Sequence, residues 1–143
     1  MHNLREEGAK AALEAAGIKV VDVQPADSDR AKGQSVGENL LTAFPNLKGI
    51  YATNDEMALG ASNAAQAAGR ELVIVGFDAS PNALQAIQDG TMSGSIAQFA
   101  GKIGELGTAT AAAVARGEKV ESFVNTGVAV VNVDNVADFL AGK

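Results

Sequence analysis

At 143 residues the chain is long enough for one domain with a real hydrophobic core. A net charge of −6 argues against nucleic acid as a partner, because neutralising phosphates needs a basic face. The absence of cysteine removes disulfides, thiol catalysis and the usual structural zinc sites.

Hydrophobic residues make up 47% of the chain and aromatics only 4%, which fits Ala-rich helices on a Val/Ile sheet. The start, Met1 to Glu7, has no apolar core of the signal-peptide kind, and no apolar run approaches the roughly 20 residues needed to cross a bilayer. His2 is the sole histidine and lies in a frayed or tag-like start, which argues against a His-based triad or metal site.

In chain order, Asn3 to Ala16 reads as a helix, with Leu4, Ala9, Ala12 and Leu13 apolar and Gly17 closing it. Ile18 to Val23 is a short β-branched run and is expected to form a strand, followed by a loop from Gln24 to Asp29. Asp29 is the expected N-cap of a second helix reaching about Phe44, where Pro45 helps end it. Ile50 to Ala52 reads as a buried strand that stops at Thr53-Asn54-Asp55 and opens into a helix ending near Gly69.

Leu72 to Val75 is continuous and apolar, as expected of a parallel strand covered on both faces. Ser80-Pro81 starts a helix to Asp89, with Pro at an early position where its missing N–H does no harm. Met92 to Gln98 reads as a strand, Lys102 to Arg116 as an Ala-rich helix ended by Gly117, Val124 to Val133 as a β-rich run and Asn135 to Leu140 as a last helix. Strands alternating with helices predict a single α/β domain, a parallel, flavodoxin-like or Rossmann-like sheet with right-handed crossovers.

In such sheets ligands sit beyond the carboxyl ends of the strands. Asn54 stands at one such end, with an amide that both donates and accepts, and reads equally well as a ligand contact or as a helix cap. Asp55 and Glu56 do not make a catalytic pair, because adjacent helical positions point about 100° apart; they read as cap and dipole partners of the helix. Phe77-Asp78 ends the next strand in the equivalent place. A carboxylate there suits two hydroxyls and a ring suits an apolar face, although Asp78 alone reads equally as a turn residue. Gln98 and Arg5, taken alone, are ordinary surface residues. Gly101-Lys102-Ile103-Gly104-Glu105-Leu106-Gly107 is glycine-rich without the dinucleotide or P-loop spacing, and falls in a helical region. There is no Gly-x-Ser-x-Gly elbow.

The stretch Gly49 to Gly60 (GIYATNDEMALG), together with Gly76-Phe77-Asp78 and Ile96-Ala97-Gln98, resembles the C-terminal lobe of type I periplasmic sugar-binding proteins, those that bind ribose above all. The likeness runs from about Arg5 to about Val133. It implies monosaccharide binding without catalysis or cofactor, by Asn54, Phe77, Asp78, Gln98 and, through an Arg-x-x-Gly pattern with Gly8, Arg5. It further implies a periplasmic location, a membrane permease of an ABC importer as partner, and D-ribose or a related pentose as ligand. Ser28 departs from the pattern, since ribose binders carry a stacking aromatic residue there.

The resemblance also implies that a central strand precedes the first helix, that an N-terminal lobe is absent, and that the chain crosses a hinge near residues 96–100. The helix after Gln98 then belongs to the other lobe, and Ile103, Leu106 and Val114 lack a partner. Self-association or a rearranged sheet is expected to cover them. Two other readings stand beside it. The effector-binding domain of a sugar-responsive transcriptional repressor shares the fold but needs a helix-turn-helix segment, which this sequence lacks. A small α/β enzyme is disfavoured because no nucleophile, general base or metal cluster emerges.

Overall fold

The computed structural model describes residues 2–142, with side chains from Leu4 onward, so the side chain of His2 lies outside it. The elements run α1 (His2–Ala15), α2 (Arg30–Ala43), β1 (Gly49–Tyr51), α3 (Asp55–Ala67), β2 (Val73–Asp78), α4 (Pro81–Gln88), β3 (Gly94–Gln98), α5 (Ala100–Ala115), β4 (Val128–Val131) and α6 (Val136–Leu140). The strands form one sheet in the order β1-β2-β3-β4. The first three are parallel, with Ile50 opposite Ile74 and Phe77 opposite Ile96. β4 returns antiparallel to β3, with Val128 opposite Gln98. The sheet is therefore mostly parallel and flanked by helices, with one strand reversed.

The caps follow from the sequence. Asp29 accepts from the Lys32 amide at 2.8 Å, Asn54 from the Met57 amide at 3.0 Å and Ser80 from the Ala83 amide at 3.4 Å, each satisfying a free donor of a first helical turn. Ala58 and Leu59 of α3, Ile74 of β2, Leu84 and Ile87 of α4, Ala97 of β3, Val131 of β4 and Val136 of α6 form one buried cluster. α2 lies on the far side of α3 at backbone distance. A Cβ added at Gly60 would stand 2.2 Å from the Arg30 carbonyl oxygen, and one added at Gly33 would stand 2.7 Å from that of Met57.

Besides the reversal of β4, three features differ from expectation. Residues 18–23 form no strand, and Ile18, Val21 and Val23 are exposed. A strand needs a neighbour to bond, and between this segment and β1 lies a cavity of about 380 Å³, walled by α1, residues 19–28, α2 and β1. Among the described residues β1 bonds only to β2, through groups such as the Lys48 carbonyl and the Ala52 amide. By the alternation of an extended chain, the polar groups of Gly49 and Tyr51 point the other way, into the cavity. Second, Val73 is exposed, so β2 is not covered on both faces along its whole length. Third, α5 buries no residue at all, and Ile103 and Val114 stand in solvent. The sheet has not rearranged to cover that helix.

Candidate functional site

The carboxyl ends of β1, β2 and β3 lie side by side, and each delivers a polar residue to the same rim. β1 runs out through Thr53 to Asn54, β2 ends on Phe77-Asp78 and β3 ends on Gln98. Asp78 is the hub. Its Oδ1 accepts from Gln98 Nε2 at 2.6 Å and from Arg5 Nη2 at 3.3 Å. Arg5 comes from the first turns of α1, and its other nitrogen, Nη1, donates to the Thr53 carbonyl at 2.8 Å. Its guanidinium lies over the Phe77 ring, 3.7 Å from the centroid, a close cation–π contact. The arginine is not the exposed helix residue that its position alone suggested: its side chain is 15% exposed, against 37% for Asp78.

Four of the five candidate residues are thus in one connected group. Asn54 stands next to Thr53, with Oδ1 committed to capping α3, and its Nδ2 has no partner among the described residues. Both readings of Asn54, cap and ligand contact, are compatible with this, since the cap uses only the oxygen. Asp78 accepts through Oδ1 only, which leaves Oδ2 without a partner among the described residues. An arrangement of one carboxylate, one guanidinium, two amides and an aromatic ring is suited to a neutral, polyhydroxylated molecule. Among the described residues there is no group of three or more His, Cys, Asp or Glu able to hold a metal ion.

Two further residues bear on the site. Tyr51, at the end of β1, has its phenol pKa raised, first by burial and also by the Asp78 charge, against the opposing pull of Arg5. Nothing in the sequence singled it out beyond its place two residues before Thr53. Asp55 is not a simple dipole partner of α3. It is 2% exposed, and its carboxylate turns inward to accept from Ser95 Oγ and from the Ser80 amide, both at 2.6 Å. Burial raises its pKa, and the hydrogen bonds from Ser95 and Ser80 pull the other way. Glu56 keeps its place in the first turn and accepts a two-pronged contact from Arg30 Nε and Nη2, each at 2.8 Å. The cavity beside β1 is not lined by any of the five candidate residues; it adjoins them through Tyr51 and Thr53. Ser28 lies on its wall, in a turn where Asp27 and Ser28 have φ of 50° and 58°.

Residues 1–119 match the periplasmic binding protein domain. The chain belongs to that family. It is 44% identical over 128 residues to a ribose import binding protein of Haemophilus influenzae, covering 90% of this chain and 44% of the relative. The corresponding protein of Escherichia coli is 46% identical over 119 residues, 82% of this chain and 40% of the relative. Among solved structures, an ABC transporter solute-binding protein from Agrobacterium vitis, bound with α-D-tagatopyranose, superposes with a TM-score of 0.91 at 30% identity, over 99% of this chain and 49% of that one. The chain therefore spans less than half the length of these relatives.

Proposed function

We propose that this chain is one lobe of a two-lobe monosaccharide-binding protein serving an ABC importer, and that it takes up a pentose, D-ribose first, without turning it over. The observation that carries this reading is the convergence of Arg5, Phe77, Asp78 and Gln98, from α1 and two strand ends, on one rim beside Asn54. On this reading Asp78 Oδ2 accepts a sugar hydroxyl, Asn54 Nδ2 and Arg5 donate to ring or hydroxyl oxygens, and Phe77 supplies an apolar face. Arg5 already screens one face of that ring, so the sugar packs against the ring edge or displaces the guanidinium. Ser28 offers no stacking surface in return.

The second lobe closes over the sugar about a hinge at residues 96–100, and the closed pair presents a face to the permease in the periplasm. On this reading the cavity beside β1 is where one further strand of the lobe would pair. The names and bound ligands of the relatives support a sugar; nothing in them favours the repressor reading.

With one lobe only, the sugar stays half in water and binds with a Kd on the order of 1 mM or weaker, about −4 kcal/mol at best. Titrating D-ribose into the 15N-labelled chain tests this. The side-chain resonances of Arg5, Asn54 and Gln98 should move together and saturate, and Asp78→Ala should abolish the movement. If joining a second lobe from a relative still leaves those resonances unmoved by any pentose, the sugar assignment is wrong.

A further inference from the structure

Two consecutive non-glycine residues at the site have positive φ: 112° at Asp78 and 51° at Ala79. L side chains rarely adopt either value, and the first lies outside even the left-handed helical region. Such a conformation persists only where its surroundings over-determine it. Here the surroundings are a small buried network. The Ala79 amide donates to Ser95 Oγ at 3.0 Å, Ser95 Oγ donates to Asp55 Oδ1 at 2.6 Å, and the Ser80 amide donates to Asp55 Oδ2 at 2.6 Å. Ser95 is 0% exposed and Asp55 2%.

We propose that Asp55 and Ser95 form a latch that holds the backbone of residues 78–80 in its strained course and so sets the Asp78 carboxylate between Arg5 and Gln98. They are positioning residues for the site rather than contacts to a ligand; the inference rests on the monosaccharide reading only where sugar affinity is measured. A second observation supports it independently of the hydrogen bonds. A Cβ at Gly76 would stand 2.3 Å from Asp55 Oδ1, so β2 keeps a residue without a side chain where the carboxylate sits. Both oxygens of Asp55 are used, each on a group that fixes the same loop: one directly on Ser80, the other through Ser95 on Ala79. A buried carboxylate is costly unless fully paired, and an apolar residue would fill the space at less cost. What the carboxylate alone supplies is the tie between the start of α3, the end of β2 and the start of β3, the elements that carry Asn54, Asp78 and Gln98.

The test compares Ser95→Ala, Asp55→Asn, Ala79→Gly and the double variant Ser95→Ala/Ala79→Gly. Glycine adopts φ near 51° freely, so it removes the need for the latch without restoring a hydrogen bond. Residual dipolar couplings of residues 78–80 and the Gln98 Nε2 resonances report the loop directly, with no sugar present. In Ser95→Ala and Asp55→Asn, Ala79 should swing to negative φ and the Gln98 signal should shift. The double variant should recover both, and Ala79→Gly alone should leave both unchanged. Where the lobe or its two-lobe form binds D-ribose, affinity should fall about tenfold or more in the latch variants and return in the double variant. If Ser95→Ala does not fold, Asp55→Asn, which turns one of the two accepting oxygens into a donor, weakens the same tie from its other end. Latch variants that lower stability while leaving the 78–80 couplings and the Gln98 signal unchanged would overturn the proposal. So would a double variant that restores nothing. A wild-type two-lobe form indifferent to every pentose would sink the sugar reading alone, because the two sugar-free readouts still decide the latch.

Discussion

Replacing Gly60 by alanine puts a carbon 2.2 Å from the Arg30 carbonyl oxygen and 2.6 Å from the Gln34 amide nitrogen. Both are backbone atoms of α2 or its N-terminal turn, so no side chain can move aside. The two helices must separate by roughly 1 Å before the contact becomes ordinary. That loosens the Gly33 and Gly37 contacts as well, where added carbons would stand 2.7 Å from the Met57 carbonyl and 3.0 Å from Ala64. Overpacking of this kind costs about 1–3 kcal/mol, and backbone against backbone belongs at the upper end. Alanine returns about 1 kcal/mol through helix propensity. The net expectation is a loss of about 2 kcal/mol, a urea midpoint lower by roughly 1 M with the slope unchanged. Gly104→Ala is the control. Nothing lies within 4 Å of its Cβ, so the same substitution should leave the midpoint unchanged or raise it slightly. If Gly60→Ala matched or exceeded the wild-type midpoint, α2 and α3 would not be packed at backbone distance, and the placement of the α3 start, which carries Asn54, would lose its support.

Arg30→Ala removes a two-pronged pair whose side chains are 40% and 46% exposed; its cost should be about 1 kcal/mol or less and should shrink with added salt, read by thermal melts at two ionic strengths. Burial holds the Asp55 carboxyl above its ordinary 3.8, so the folded state binds that proton more tightly than the unfolded chain, and the associated stability is lost as pH rises from 3.8 through the folded value. Relative to Asp55→Asn, the wild type should therefore lose stability across that window; parallel urea midpoints against pH would contradict this. The exposed apolar residues Phe123, Val128, Val130 and Val133, with Ile103 and Val114, should drive self-association that grows with concentration. Light scattering that reports a compact monomer throughout would refute it.

The parts of the fold that were legible in the sequence are those fixed locally. Asp29, Asn54 and Ser80 cap their helices because their side chains reach amides three residues on, and Gly17 and Gly117 take φ of 75° where helices end. What failed were features that depend on a partner. Ile18 to Val23 has the composition of a strand, but composition does not provide the neighbour that a strand must bond. The same holds for the Leu72–Val75 run, which reads as buried on both faces while Val73 is exposed. The reversal of β4 is not visible in Val124 to Val133, since β-branched runs carry no direction. At the rim, Asp78 and Gln98 were picked out by resemblance rather than by chemistry, and their bond joins residues twenty apart. In the sequence Asp55 reads as a cap or dipole partner, because a first-turn acid usually is one; only the positions of Ser95 and Gly76 turn it inward.

Gln98 is followed at once by Phe99 and the start of α5, and the chain re-enters the sheet at Val128, directly opposite Gln98. The Phe99 ring rests near Gly127, whose φ is 78°, so the outgoing and returning segments touch where they leave the sheet. α5 buries nothing of its own, and its direction is set at these two adjacent crossings. Its 16 residues make a rod about 24 Å long. A turn of 10° at the crossings would carry its far end through about 4 Å. A small torsion at these crossings is thus enlarged at the tip of the rod into a displacement larger than a bond length, as a pointer on a dial enlarges the rotation of its pivot.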